Sequence, residues 1–143
     1  MSNARNIASI AGEDVLNASN EIVPVYACRA WVNFNGTDAF SPNPSTSAIR
    51  DYGNVSSIFQ NGTGEYTVNF EIPMPDANYV LTSSSNDSNS DRGFHVITID
   101  YDESGVGTAP STTSVKIINR VASSQTFSST PLDCLNAMVA IFR

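Results

Sequence analysis

The sequence predicts an all-β protein, an antiparallel β-sandwich or flattened barrel that follows a short N-terminal arm. Segments in which apolar and polar residues alternate recur along the chain, and turns rich in Ser, Asn and Gly separate them. Ser, Thr and Asn make up about a third of the residues. The chain has a single lysine, Lys116, which disfavours a helical bundle because such a surface needs Lys, Glu and Arg.

Length and charge narrow the class of protein further. At 143 residues the chain has the size of one domain and can bury a core without metals or a disulfide framework. Its net charge of −7 and its scattered arginines argue against binding to nucleic acid or to an anionic membrane surface. No apolar run is long enough to cross a bilayer, and the first residues lack the apolar stretch of a secretory signal. We therefore expect neither nucleic-acid binding nor membrane insertion.

Residues 1–23 are the predicted N-terminal arm, and residues 24–143 are the predicted β domain. Apolar residues are sparse in the arm, where the sequence predicts a short helix over Ala4–Ala11 that is marginal on its own. Ile7 and Ile10 would gain stability by burial against another protein, so we expect the arm to dock on a partner. A frayed terminus is the alternative.

The first long strand is predicted over Val25–Phe34. Its even positions, Cys28 and Phe34 among them, are all apolar and are expected to face the core. The Asn-Gly pair at residues 35–36 ends the strand, and the Pro- and Ser-rich residues 40–48 are predicted to form a loop.

A hairpin is the strongest local prediction. Strands over Val55–Gln60 and Glu65–Phe70 flank residues 61–64, an Asn-Gly-Thr-Gly segment rich in residues that tolerate positive φ. Before the hairpin, residues 51–54 are expected to form a turn. The second strand places three apolar side chains inward: Tyr66, Val68 and Phe70.

Further strands are predicted over Asn78–Ser85, Phe94–Tyr101, Ser114–Val121 and Leu135–Phe142. Polar loops connect them, including residues 123–130, and the last strand is expected to be paired and buried because it is apolar except at Asn136. Strands at this spacing predict an antiparallel sandwich or barrel.

The two cysteines, Cys28 and Cys134, are too few for a disulfide framework. Each lies in an apolar, strand-like segment, which favours two buried and unreactive thiols in the reduced state. A single bridge between the first and last long strands is the alternative, and a reactive thiol is the least favoured.

The sequence contains no catalytic constellation, so we predict that the chain is not an enzyme and needs no cofactor. His95, the only histidine, lacks a nucleophile and an orienting acid nearby in sequence and is predicted to lie at the surface or an interface. Carboxylates for glycoside hydrolysis exist, but nothing sets their separation: Glu65, Asp100, Asp102 and Glu103. Neither zinc-ligand spacing nor a phosphate-binding loop is present.

Residues 87–93 are the one weak candidate for a metal site. Oxygen ligands stand at alternate positions, Asp87, Asn89 and Asp91, as they do in calcium loops. However, the glycine comes one residue late, and Thr98 occupies the place of the bidentate glutamate. A solvated loop tip is therefore favoured, and a weak calcium site is the alternative.

Aromatic side chains that stack on sugar rings give a second candidate function. Of Trp31 and the five tyrosines, most occupy strand positions that indicate packing in the core, whereas Tyr52 is expected to be exposed in a turn. Trp31 stands at an odd position of the strand Val25–Phe34, on the face that is expected to be only partly covered. A carbohydrate-binding module, with or without calcium, is therefore an alternative prediction.

Several segments carry a resemblance to a known family. They are Cys28–Thr37 (CRAWVNFNGT), Ile49–Arg50, Gly53–Ile58 (GNVSSI), Asn61–Phe70 (NGTGEYTVNF), Met74–Tyr79 (MPDANY) and, more loosely, Val139–Arg143 (VAIFR). Together they resemble a module of phage tail-fibre proteins and related virion proteins. The match is good over Cys28–Tyr79.

The resemblance implies a β-structured, homotrimeric subunit on the exterior of a bacteriophage particle, assembled in the host cytoplasm. Such a subunit is a tail-fibre tip that binds a receptor, or a knob that decorates the capsid. Other virion proteins would contact the N-terminal arm, and a host surface glycan is a further expected partner. The matched residues are turn glycines and core aromatics, so the resemblance transfers no binding residue.

Overall fold

The computed structural model describes residues 15–16, 22–23, 27–38, 40, 43–86, 94–100, 109–122 and 129–143. Every regular element in these ranges is a β-strand. The strands are β1 (Val15–Leu16), β2 (Ile22–Val23), β3 (Cys28–Phe34), β4 (Ile49–Gly53), β5 (Val55–Gly62), β6 (Glu65–Phe70), β7 (Val80–Asn86), β8 (Phe94–Ile99), β9 (Ser114–Ala122), β10 (Ser129–Pro131) and β11 (Asn136–Phe142).

Two antiparallel sheets pack face to face and are not closed into a barrel, which confirms the all-β class and favours the sandwich over the flattened barrel. Sheet 1 has the strand order β4-β3-β11-β7. Sheet 2 has the order β5-β6-β9-β8, and the short β10 continues the position of β6 alongside the end of β9. Strands β1 and β2 form a separate antiparallel pair within the predicted arm.

The core between the sheets follows from the alternation of side chains along the central strands. Tyr66, Val68 and Phe70 face inward, as the sequence predicts. The ring of Phe34 in sheet 1 meets Tyr66 of sheet 2 edge to face, with centroids 5.1 Å apart, a favoured geometry for aromatic pairs.

Asn54 carries the chain from β4 in sheet 1 to β5 in sheet 2. Its φ of 56° lies in the left-handed region, which asparagine tolerates better than most residues. The side chain fixes the crossing, because Nδ2 donates to the carbonyls of Arg29 and Ile72, each at 3.0 Å. Oδ1 accepts a hydrogen bond from the backbone N–H of Ile72 at 2.6 Å.

A partly buried carboxylate holds the β5–β6 hairpin against the start of β11. Oδ1 of Asp133 accepts hydrogen bonds from the Tyr66 hydroxyl at 2.7 Å and from the Gly64 backbone N–H at 2.6 Å. Burial, together with the neighbouring Asp133, raises the pKa of Tyr66 far above its usual range, so the phenol stays protonated and acts as a donor.

Asn119 is fully buried and links the two sheets at the same end of the sandwich. Its Oδ1 accepts a hydrogen bond from the Ser85 hydroxyl of sheet 1 at 2.8 Å, and its Nδ2 donates to the Leu132 carbonyl at 2.6 Å. Both ends of the amide are therefore paired, as a buried polar group requires.

Two strands differ from the sequence prediction. Ile49–Gly53 forms strand β4 at the edge of sheet 1, although residues 51–54 were expected to be a turn; this strand is mostly exposed and therefore lacks the apolar alternation that marks a strand. Ser129–Pro131 forms β10 where the loop 123–130 was expected, because β9 extends past β6 and leaves backbone groups to pair. The helix predicted over Ala4–Ala11 lies outside the described residues.

The prediction for the cysteines is confirmed for Cys134, which is buried, and wrong for Cys28, which is exposed. Cys28 is the first residue of β3 and pairs with Phe142 at the end of sheet 1. The alternation of apolar residues continues as far as Cys28, but the core between the sheets ends before it. Neither cysteine forms a disulfide, so the alternative of a single bridge is also wrong.

Candidate functional site

The outer face of sheet 1 concentrates the exposed apolar surface of the described residues. Four of their eight large exposed hydrophobic side chains lie on this face: Trp31, Val80, Met138 and Phe142. They point outward because their neighbours along β3, β7 and β11 point toward the core. Exposed apolar side chains that are grouped on one face of a folded domain often mark a binding or contact surface.

Trp31 is held on this face by a glycine. The two strands β3 and β4 pair Trp31 with Gly53, and the indole lies over the glycine, since a Cβ at Gly53 would stand only 2.4 Å from Nε1. The ring therefore rests on β4, the edge strand. On the other side of Trp31, the paired residues Ala140 and Thr82 are small, so they leave an open space beside the indole.

This space is a cleft of about 440 Å³, a size within the range of ligand-binding sites. The side chains that bound it include one aromatic, two aliphatic, two hydroxyl and one amide group: Trp31, Ala140, Met138, Thr82, Ser84 and Asn33. Among the residues that the structure describes, none of those lining it is charged. The cleft can therefore offer an apolar wall and several neutral hydrogen-bonding groups, but no acid, base or nucleophile with an activating partner.

Arg50 orients the amide at one end of the cleft. Its guanidinium donates to Oδ1 of Asn33 at 3.3 Å and to the backbone carbonyls of Phe34 at 3.2 Å and Leu135 at 2.7 Å. The contact with Oδ1 places the Nδ2 donor of Asn33 on the opposite side of the amide group.

The alternation of β3 places Trp31 on the partly covered face with Arg29 and Asn33, and the side chain is 39% exposed there. The interpretation of the aromatic residues as core packing therefore does not hold for Trp31. Tyr52 is 53% exposed, as predicted. Sequence reasoning missed Thr82, Ser84 and Met138, because they reach the cleft only through the pairing of β7 with β11.

The candidate catalytic residues are placed in structural roles. Glu65 and Asp100 both bind the Lys116 ammonium on the outer face of sheet 2, at 3.3 Å and 2.6 Å. Asp102 and Glu103 lie outside the described residues. His95 lies on the core side of β8 and is partly buried. Its Nδ1 is buried and has no hydrogen-bond partner among the described residues, so the predicted position at the surface or at an interface does not hold for this nitrogen.

Replacing Lys116 by methionine is expected to lower the free energy of unfolding by about 2–4 kcal/mol at pH 7. The reason is that the Asp100 side chain, only 8% exposed, would lose the ammonium that neutralises it. Urea unfolding measures this loss, and the double variant Lys116→Met/Asp100→Asn should recover most of it. Equal stability of the single and double variants would contradict the assignment.

The same ion pair gives a pH dependence. The hydrogen bond to Asp100, and secondarily the one to Glu65, raises the pKa of Lys116 above its usual value. A raised pKa means that this stabilisation is complete below the unfolded lysine value of about 10.4 and is lost as the pH rises through the folded value. The stability difference between the wild type and Lys116→Met should therefore shrink above about pH 10.5.

The weak calcium candidates, Asp87, Asn89 and Asp91, lie outside the described residues. Within the residues that the structure covers, no group of three or more His, Cys, Asp or Glu side chains is placed to hold a metal ion. The described part of the chain also contains no helix with the length and apolarity to span a membrane.

Comparisons with protein-family models, with curated proteins and with solved structures find no match to this chain.

Proposed function

We propose that this chain is a structural subunit on the exterior of a bacteriophage particle, either a receptor-binding tail-fibre tip or a capsid decoration subunit. The observation that carries the proposal is the resemblance over Cys28–Tyr79 to a module of phage tail-fibre and related virion proteins. A β-sandwich is compatible with that role, although the fold alone does not assign it.

The structural use of the matched residues supports a scaffold rather than an enzyme. Asn54 turns the chain between the sheets, Gly64 adopts a φ of 70° in the hairpin, and Tyr66 is a buried donor to Asp133. Each of these residues fixes the backbone or pairs a buried polar group, which is an architectural role. The carboxylates Glu65 and Asp100 are engaged with a lysine, which supports a role without catalysis.

The proposed assembly also accounts for the edge strands of the two sheets and for the N-terminal arm. In the proposed particle the subunit is a homotrimer, neighbouring subunits cover sheet edges, and the arm over residues 1–23 contacts other virion proteins. We expect light scattering of the purified chain at micromolar concentration to give the mass of a trimer. A monomer under these conditions would count against the trimeric assembly.

Mass spectrometry of purified particles tests the proposed function. Particles banded on a density gradient from lysed cells that express the gene should contain this chain at a fixed ratio to the major capsid protein. Brief protease treatment of intact particles should remove it while internal proteins survive. Absence of the chain from the particles, or protection equal to that of internal proteins, would contradict an exterior subunit.

The second candidate function is a carbohydrate-binding module, and the cleft beside Trp31 favours it. The two functions are compatible, because a fibre tip that binds a host glycan is both. Calcium assistance through Asp87, Asn89 and Asp91 stays a prediction. Saccharide affinity measured in calcium and then in a chelator should be equal if the loop holds no ion.

A further inference from the structure

We propose that the cleft on the outer face of sheet 1 binds a neutral saccharide, with the indole of Trp31 as the surface on which a sugar ring stacks. This inference deepens the proposed function and rests on it for the biological setting, a glycan on the host surface. The binding itself rests on the geometry and the chemistry of the cleft.

The chemistry of the cleft walls matches the two kinds of surface that a sugar presents. The C–H face of a pyranose ring is apolar and packs against an aromatic ring, and Trp31 offers such a ring, 39% exposed. The hydroxyl groups of a sugar need both donors and acceptors. Thr82 and Ser84 supply hydroxyls that serve as either, and Asn33 supplies an amide.

Charge selects a neutral ligand over an ionic one. The described residues that line the cleft carry no charge, so an anionic or cationic sugar would lose hydration there without gaining an ion pair from them. The charged residues nearest to it on β4 are occupied within the chain: Arg50 binds the carbonyls of Phe34 and Leu135, and Asp51 accepts from the Tyr52 backbone N–H. The net charge of −7 further disfavours an anionic ligand.

The platform is fixed before any ligand arrives. The indole of Trp31 fills the space that a Cβ at Gly53 would occupy, and the floor residue Ala140 belongs to β11, a central strand paired on both sides. Binding therefore requires little ordering of the site. A preorganised site retains more of its contact energy as affinity.

Size favours a saccharide over a second copy of the chain as the occupant. The cleft is open to solvent, lies beside Trp31 and Met138, and has a volume of about 440 Å³, which is within the range of ligand-binding sites. A second copy would instead need roughly 800 Å² of complementary surface on each partner for a stable contact.

The single tryptophan makes the proposal directly testable, because all tryptophan emission comes from the proposed site. Maltotetraose, mannotetraose and N-acetylchitotetraose are the neutral probes, and tetragalacturonic acid is the charged control. We expect a saturable change in emission with at least one neutral probe at micromolar to millimolar concentration, and none with the charged control.

Variants assign the binding to the cleft. Trp31→Ala should weaken the affinity measured by calorimetry at least tenfold, and Thr82→Val should weaken it several-fold. The matched control is Phe59→Ala, which removes an aromatic ring of similar exposure, 38% against 39%, from the outer face of sheet 2. It should bind as the wild type does, and circular dichroism should confirm that each variant is folded.

The inference is overturned if no neutral probe changes the emission, or if Trp31→Ala binds as tightly as the wild type. It is also overturned if, without ligand, the tryptophan emission changes with protein concentration in parallel with the mass of the oligomer, because a second copy of the chain then covers the cleft. The particle experiment separates this outcome from the proposed function. If the chain is present in particles but does not bind saccharide, the proposed function stands and the inference fails. If the chain binds saccharide but is absent from particles, the inference stands and the proposed function fails.

Discussion

Gly64→Ala is expected to lower the free energy of unfolding by more than about 3 kcal/mol, enough to unfold much of the protein at 37 °C. Gly64 has a φ of 70°, a conformation that alanine adopts with strain. The added Cβ would also stand 2.6 Å from the backbone nitrogen of Leu132 and 2.8 Å from the carbonyl oxygen of Asn119. These are backbone atoms of β9 and of the segment between β10 and β11, so they cannot rotate away as a side chain would.

Gly62→Ala is the matched control in the same hairpin. A Cβ at Gly62 would meet only the side chain of Glu65, at 3.8 Å, which is ordinary contact. We expect its stability to lie within about 1 kcal/mol of the wild type, because alanine is at least as well suited to a strand as glycine. Urea unfolding of both variants decides the matter, and equal losses at the two positions would contradict the packing described at Gly64.

Phe34→Ala is expected to cost about 3–5 kcal/mol in unfolding free energy. The ring is fully buried between the sheets and contacts Tyr66, so truncation removes apolar burial and leaves a cavity at the point where the sheets meet. Thermal unfolding followed by circular dichroism measures the loss.

Phe59→Ala provides the comparison for Phe34, because its ring is 38% exposed on the outer side of β5. Its loss should be below about 1 kcal/mol, as for surface positions in general. A loss at Phe59 that equals the loss at Phe34 would mean that the inward and outward faces of the sandwich are wrongly assigned.

The fold class was predictable because two faces of each central strand differ in polarity. In β6 the inward Tyr66 and Val68 alternate with the outward Thr67, and a hairpin signal of Asn and Gly precedes them. Strand β4 lacked such a signal, since an edge strand exposes side chains on both faces. Strand β10 is three residues long and depends on β9 for its pairing, which sequence alone does not reveal.

The cleft was less predictable than the fold, for a physical reason. Its residues come from β3, β7 and β11, which are neighbours only through long-range pairing. The polar residues two positions before and after Trp31 indicated the direction of its side chain. The small size of Ala140 and Thr82, in contrast, becomes relevant only when the strand register places them next to the indole. The burial of Cys28 was wrongly predicted because the alternation of apolar residues predicts which face of the strand a side chain is on, but not where along the strand the core ends.

The central claim is that this sandwich acts by contact on the outside of a virus particle. Immunogold electron microscopy of intact particles with an antibody raised against the chain tests this claim most directly. The account predicts gold at fixed positions, at fibre tips or over the capsid surface, without prior opening of the particle. Label that appears only on opened particles, or never on particles at all, would contradict it.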